Sequence, residues 1–599
     1  MRPTASTFDT SPAPLSLPEL RRLNFRRLTL IVPSLGLAAA MVATAAWVLV
    51  ATPHGWSDWL LLAPFGIGMG WECLIVWQLV LGFLQEMRGR KGLSPIELLA
   101  MEVEPRSSGR SRTALLVPVY EEDVGAVFAR TRVMLRSLIR LGECGDVEVH
   151  VLSDTRDDAV AAEEAAAAAR VATEFPGLCL QYRRRPANTG RKAGNIADFL
   201  DTQGSRFDFA VVLDADSLMS GAAIRRLIRT MEESPRVGLL QTVSYASGRT
   251  TLFARIQQFA VRLYAPLALR GLHYWQGPEG SYWGHNAIFR VEPFRKHCRL
   301  PVLPGRPPLG GEILCHDIVE GALLTRAGWE VHLLPDFDGT WEEIPTNTLD
   351  LLERERRWCQ GNLQHMRVLA WPRLKTASRA HLALGIGGYL VVPIWWIFVC
   401  GGALRVFAWP DGRYGLLAYG LTETGAAATA LLVASLTLIV LPRALNLIFA
   451  LVHRSRRDGF GGGRRLLSGA ALEQVFALLL SPALSLATSG FVLQILAGRN
   501  AGWNRQTRQD RRVSVRQAAR RHAFHVLLGL LLCAAMVAAG GWVAVWLLPA
   551  ALGLCLAPWL TAWSSRQELG RVSQRMGLFV TRDDLFAAEE LRELHGEAQ

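Results

Sequence analysis

The stretch Phe209-Ala210-Val211-Val212-Leu213-Asp214-Ala215-Asp216 decides the fold: an apolar run that ends in two carboxylates one residue apart. A short, continuous, Val-rich run of this kind reads as a strand buried on both faces. In extended backbone, residues i and i+2 share a face, so Asp214 and Asp216 point the same way. Two carboxylates so placed can grip one hard divalent cation, which can also take diphosphate oxygens. An Asp-x-Asp pair alone is a common surface turn. Here it follows a buried strand, and it has company.

The same form appears upstream. The run Ala114-Leu115-Leu116-Val117-Pro118-Val119-Tyr120 leads into Glu121, Glu122 and Asp123, and Val147–Leu152 ends in Ser153-Asp154. Helical segments lie between the strands, among them the Ala-rich run 159–170. Strands alternating with helices predict an α/β domain with a largely parallel sheet. Ligands in such sheets bind at the carboxyl ends of the strands, where Asp154, Asp214 and Asp216 gather.

Between the second and third of these strands lies Tyr182-Arg183-Arg184-Arg185-Pro186-Ala187-Asn188-Thr189-Gly190-Arg191-Lys192-Ala193-Gly194-Asn195. Basic residues with Gly194 and Asn195 beside a carboxylate site suit a phosphate-bearing ligand, and Lys192 is the expected diphosphate contact. The run Arg183–Arg185 reads as solvated surface. Further on come His316-Asp317 and Arg354-Glu355-Arg356-Arg357-Trp358. A transfer that inverts a sugar centre needs one carboxylate to take the acceptor's proton, a task open to Asp317. Arg357 can stabilise a leaving diphosphate, and Trp358 can stack on a sugar ring.

The 599 residues are 50% hydrophobic with a formal charge of +13, and both properties are uneven. Apolar blocks at 28–51 and 59–84, then at 382–408, 414–441, 523–541 and 543–563, are each about the length of a bilayer crossing. The segment 467–497 contains Pro482 and is too long for one untilted helix, so it is expected to cross twice or to lie partly in the interface. Eight spans are preferred and six are the alternative. Arg21, Arg22, Arg26 and Arg27 precede the first block, and Arg88, Arg90 and Lys91 follow the second. That edge placement fits the positive-inside rule better than it fits a nucleic-acid binder, which is the weakest rival reading. It also predicts a short cytoplasmic arm (1–27), a membrane hairpin (28–91), a cytoplasmic domain (92–380), membrane and interfacial helices (381–565) and a cytoplasmic tail (566–599). The glycine tract Gly459, Gly461, Gly462 and Gly463 reads as a linker. Glu72 and Glu473 fall inside apolar blocks, where ionisable side chains are functional candidates. Nine scattered Cys lack zinc spacing, and a reducing compartment is expected for the middle of the chain.

The order Asp154, Lys192-Ala193-Gly194-Asn195, Asp214-x-Asp216, His316-Asp317, Arg354-x-x-Arg357-Trp358 resembles the processive membrane glycosyltransferases of family 2. Val117–Asp123, Arg191–Phe199, Gly280–Arg290, Leu314–Glu320 and Arg356–Asn362 are similar to the glucans biosynthesis glucosyltransferase H family within it. Arg354 replaces the usual Gln, and His316 the usual Glu, which favours that family over cellulose synthases. The resemblance implies a glycosyltransferase A-type fold and transfer of glucose from UDP-glucose to the nascent, chiefly β-1,2-linked backbone of osmoregulated periplasmic glucans. It implies a bacterial inner-membrane location among membrane lipids, and a periplasmic glucan-processing partner. It assigns Asp154 to the uridine, and Asp214 and Asp216 to the nucleotide and Mg²⁺ or Mn²⁺. Asp317 becomes the general base, Arg354, Arg357 and Trp358 close over donor and acceptor, and His285-Asn286 line the acceptor side. Two other readings stay open: single addition to a lipid-phosphate acceptor, and another β-glucan synthase of the cellulose type.

Overall fold

The structure, a computed structural model, describes residues 15–51, 56–106, 109–142, 144–408, 423–500, 510–539 and 541–597. The expected loop at 409–414 and the start of the block 414–441 lie outside the described residues.

The α/β domain is built on a seven-stranded sheet. Its strands are β1 (Thr113–Val119), β2 (Val147–Ser153), β3 (Cys179–Arg184), β4 (Phe209–Val212), β6 (Val237–Thr242), β8 (Ala287–Arg290) and β9 (Glu330–Leu334). Their spatial order is β3-β2-β1-β4-β8-β6-β9. Only β8 runs antiparallel, pairing Val212 with Ala287 on one side and Gln241 with Ala287 on the other. A small second sheet joins β5 (Leu218–Met219), β10 (Thr340–Glu342) and β7 (Tyr245–Ala246). The central strands β1, β2, β4 and β6 are buried along their lengths except at Pro118, as continuous apolar runs demand when helices cover both faces. Phe128, Val133 and Leu135 pack one face; Phe199, Phe289 and Val319 pack the other.

Six helices among the described residues are long and apolar enough to cross a membrane: Leu17–Val50, Trp59–Glu86, Thr376–Leu404, Thr429–Val452, Gly463–Leu496 and Leu547–Ser564. A seventh candidate is a pair bent by 70°, Val515–Arg521 with Ala523–Ala538. Eight separate spanning helices are not found among the described residues. The segment 467–497 is not two short helices but part of one continuous helix, Gly463–Leu496, with Pro482 inside it. A Pro costs one backbone hydrogen bond, which packed neighbours can tolerate. Gly461 and Gly462 adopt φ of +78° and +96° at its start, so the glycine tract is a tight turn rather than a slack linker. The first helix begins at Leu17, ahead of the apolar block, because Ser16 and Glu19 close its first turn: the Ser16 N–H donates to Glu19 Oε2 at 2.8 Å.

The α/β domain is bound tightly to these helices. Helix Leu252–Gln276 packs along helix Trp56–Glu86 so closely that Gly82 and Gly271 each face backbone of the other helix where a Cβ would clash. Tyr264 on the same helix donates to Glu473 at 2.7 Å. The tail is also seated. Asp584 and Asp583 take Arg255 and Arg262 at 3.1 and 2.6 Å, and Glu589 takes Arg140 at 3.3 Å. Glu590 accepts from Ser137, on the helix that backs β1.

Candidate functional site

Parallel strands all deliver their carboxyl ends to one edge of the sheet. Asp154 follows β2, and Asp214 and Asp216 follow β4. The antiparallel β8 runs the other way, so its lead-in, Gly284-His285-Asn286, arrives at that same edge. Helix Arg191–Thr202 starts there after Gly190, whose φ of +69° turns the chain, and brings Lys192 in.

Lys192 Nζ donates to Asp214 Oδ1 and, at 2.7 Å, to the Gly284 carbonyl. Gly284 in turn lies against Asp317: a Cβ at position 284 would stand 3.3 Å from Asp317 Oδ2. Gln241 holds this loop from below, accepting from the Trp283 N–H at 2.7 Å and donating to the His285 carbonyl at 2.9 Å. One short loop therefore joins the phosphate-type lysine, the Asp-x-Asp carboxylate and the candidate base.

Asp317 sits in the first turn of helix His316–Arg326. Burial pushes its carboxyl above the usual range; the His316 charge, a backbone N–H and Lys192 oppose the shift without cancelling it. A raised carboxyl pKa strengthens a base toward a sugar hydroxyl, provided it is still ionised at working pH. His316 Nδ1 contacts Glu320 Oε2 at 2.9 Å. Burial disfavours the imidazolium, but Glu320 and Asp317 outweigh that and raise its pKa.

Sequence reasoning missed Glu342. It ends the three-residue strand β10, 3.4 Å from His285 Nε2. Burial raises its carboxyl, with Asp216 and Asp214 adding to the shift and His285 and Arg354 opposing it. His285 is shifted up as well: burial works against its charge, and Glu342, Asp214 and Asp216 prevail. So His285 faces the carboxylate cluster. Helix Thr348–Val368 carries the rest, with Arg354 stacked 4.4 Å over Trp358, Arg357 half-buried a turn from Arg354, and Trp358 itself 46% exposed.

Three expected ligand contacts have partners within the protein. Asp154 is bidentate to Arg185, at 2.7 and 2.8 Å, with both side chains buried. Arg185 is therefore a core pair and not surface, because β3 lies beside β2 and turns it inward. Arg183 is also drawn in, donating to Asn195 Oδ1 at 2.6 Å. Asn195 is fully buried, and its amide donates to the Leu152 carbonyl at 3.0 Å, so it fixes its helix to β2. Asn286, fully buried at φ of +48°, donates to the Trp341 carbonyl at 3.3 Å and ties the β8 lead-in to β10.

A divalent cation suits this edge. A cationic group, the Lys192 ammonium, already stands on Asp214, beside Asp216 and Glu342. Among the described residues no three His, Cys, Asp or Glu side chains form a complete metal cage. Asp214 and Asp216 could hold an ion only with further oxygens, of the kind a diphosphate brings.

Residues 209–563 match the glycosyl transferase family group 2, and residues 114–298 match glycosyl transferase family 2. The glucans biosynthesis glucosyltransferase H of Caulobacter vibrioides is 39% identical over 542 residues, 88% of this chain and 79% of that protein. The protein of the same name from Shewanella oneidensis is 37% identical, covering 88% of this chain and 72% of that one. Among solved structures, the mannosyltransferase PcManGT of Pyrobaculum calidifontis is 14% identical at a TM-score of 0.38, covering 62% of this chain and 98% of that one. With its sheet, its cleft edge and its flanking helices, this chain is a membrane glycosyltransferase, and it belongs to the glucans biosynthesis glucosyltransferase H family.

Proposed function

We propose that the chain transfers glucose from UDP-glucose to the hydroxyl end of a growing β-1,2-linked glucan, inverts the anomeric centre, and repeats the step on a retained product. The observation that supports this best is the shared loop that sets Lys192, Asp214 and Asp317 around Gly284. Asp317 takes the proton from the acceptor hydroxyl. The oxygen so freed attacks the anomeric carbon, and the bond from that carbon to the diphosphate breaks. Lys192 and Arg357 face the charge that builds on the departing UDP. Mg²⁺ or Mn²⁺ held by Asp214 and Asp216 would supply further neutralisation of that charge. His285 and Trp358 border the acceptor side, and Arg354 orients Trp358 by stacking.

The membrane arrangement belongs to the same reading. Helix Gly463–Leu496 is about 51 Å long at 1.5 Å per residue, well beyond a 30 Å hydrocarbon core. The chain meets the α/β domain on both sides of it, through Arg456 to Asp336 at 3.1 Å and through Asn500 to Arg356 at 3.4 Å. We read it as lying along the membrane face under the domain. Three hairpins then cross: the first two helices, the pair Thr376–Ala408 with Glu423–Val452, and the pair Ala523–Ala539 with Gly541–Ser564. The domain faces the bacterial cytoplasm, where UDP-glucose is made, and the glucan leaves between the helices toward a periplasmic processing protein.

The test is incorporation of labelled glucose from UDP-glucose by membranes carrying the protein, with Mg²⁺, followed by product sizing and linkage analysis. A β-1,2-linked polymer is expected, absent in Asp317→Asn. A single glucose on a lipid would overturn processive transfer. Product trapped on the donor side of sealed vesicles would overturn export.

A further inference from the structure

Away from the cleft, Arg21, Arg22, Arg26, Arg88 and Lys91 line one cavity of about 450 Å³. It opens where the start of helix Leu17–Ala51, the end of helix Trp56–Glu86 and helix Leu252–Gln276 meet. No carboxylate lines it. The nearby acids are already engaged: Glu97 holds Arg270 and, at 3.0 Å, His273; Glu86 holds Arg270 at 2.6 Å; Glu102 holds Arg90. Glu19 is turned away to Arg236 at 3.3 Å. Arg270 also lines the cavity but is held by those acids, whereas among the described residues none of Arg21, Arg22, Arg26, Arg88 and Lys91 takes part in an ion pair. Arg26 is steadied over the Tyr274 ring at 5.3 Å, so the cavity is partly ordered before any ligand arrives.

Gathering like charges without a counter-charge is unfavourable unless an anion completes the site. The position says which anion. The cavity lies at the end of two spanning helices, and the exposed apolar side chains Phe25, Leu28, Leu84 and Met87 stand within a turn of its lining. A phosphate with apolar chains attached satisfies both features at once. We propose that this cavity seats the headgroup phosphate of an anionic phospholipid and so anchors helix Leu252–Gln276 to the membrane hairpin. The site is separate from the sugar-transfer cleft and does not depend on how that cleft is read.

The experiment uses the full chain in nanodiscs of phosphatidylcholine with a minor share of phosphatidylglycerol, re-extracted in detergent, with tightly held lipid measured by mass spectrometry. The wild type is expected to retain roughly tenfold more phosphatidylglycerol than a variant with Arg22→Gln, Arg26→Gln, Arg88→Gln and Lys91→Gln together. A companion with Arg22→Lys, Arg26→Lys and Arg88→Lys, which keeps the charge, should retain it as the wild type does. Equal retention by the wild type and the Gln variant, or no preference over phosphatidylcholine, overturns the proposal. A photoreactive phosphatidylglycerol needs no variant: labelling of the peptides around Arg22–Arg26 and Arg88–Lys91 supports the site, and labelling confined elsewhere overturns it. Inorganic pyrophosphate titrated into phosphatidylcholine nanodiscs separates the soluble source. Heat of binding that disappears in the Gln variant, with lipid retention unchanged, would assign the cavity to a soluble phosphate ligand and overturn the lipid.

Discussion

A Cβ placed on Gly284 would stand 3.3 Å from both Cβ and Oδ2 of Asp317, and residue 284 holds a φ of +85°. The loop that carries Gly284 also accepts Lys192 at its carbonyl. Any side chain at 284 must displace either the carboxylate or the loop, and strains the backbone as well.

Gly284→Ala is therefore expected to lower kcat by tenfold or more. The left-handed backbone alone costs about 1–2 kcal/mol, and the contact with Asp317 adds to that. KM for the sugar donor should change less. Steady-state kinetics on purified protein checks the split; an unchanged kcat would remove Gly284 from the positioning of Asp317.

The pH profile should carry the mark of His316. In the proposed mechanism Asp317 acts as a base only when ionised, so activity falls as pH drops through its pKa. That pKa is raised by burial and held back by the His316 charge. In His316→Gln the restraint is gone, the Asp317 pKa rises further, and the acidic limb of kcat moves to higher pH. A limb unmoved, or moved to lower pH, contradicts this coupling.

Arg185→Ala strips the partner from a buried carboxylate. Removing one member of a buried pair costs about 3–5 kcal/mol, so a fall in Tm is expected. Adding Asp154→Leu in the same chain removes the orphaned carboxylate and should recover part of the Tm, since the cost lies in that unpaired charge.

Asp584→Ala should act at a distance. Arg255 is 2% exposed and would lose its carboxylate, with a penalty of about 3–5 kcal/mol. Limited proteolysis should show faster cleavage of the α/β domain as well as of the tail.

What could be read from sequence divides along physical lines. Buried strands that end in Asp announce themselves, because continuous apolar runs and short acidic stops are both local. Glu342 was not legible, since β10 spans only Thr340–Glu342 and so short a strand has no periodicity. Asn195 and Asn286 lay within the right motifs, yet their burial depends on Leu152 and Trp341, far away in sequence. Arg185 looked like part of a solvated run until the β2–β3 register set it beside Asp154. Helix Gly463–Leu496 is continuous where two short crossings were one of the expectations, because packed neighbours accommodate Pro482 within a single helix.

The seat of the tail bears on how the molecule is made. The helix Val124–Ile139 backs the first strand of the sheet, yet Glu589 and Glu590, which bind its far end, follow the last membrane hairpin in sequence. During synthesis the sheet emerges from the ribosome hundreds of residues before those acids do. The domain must wait, incompletely clasped, while the later helices insert, and its final lock closes only after insertion is done. A chain stalled at the membrane would then carry a loosened transferase, exposed to quality-control proteases before it could consume donor sugar.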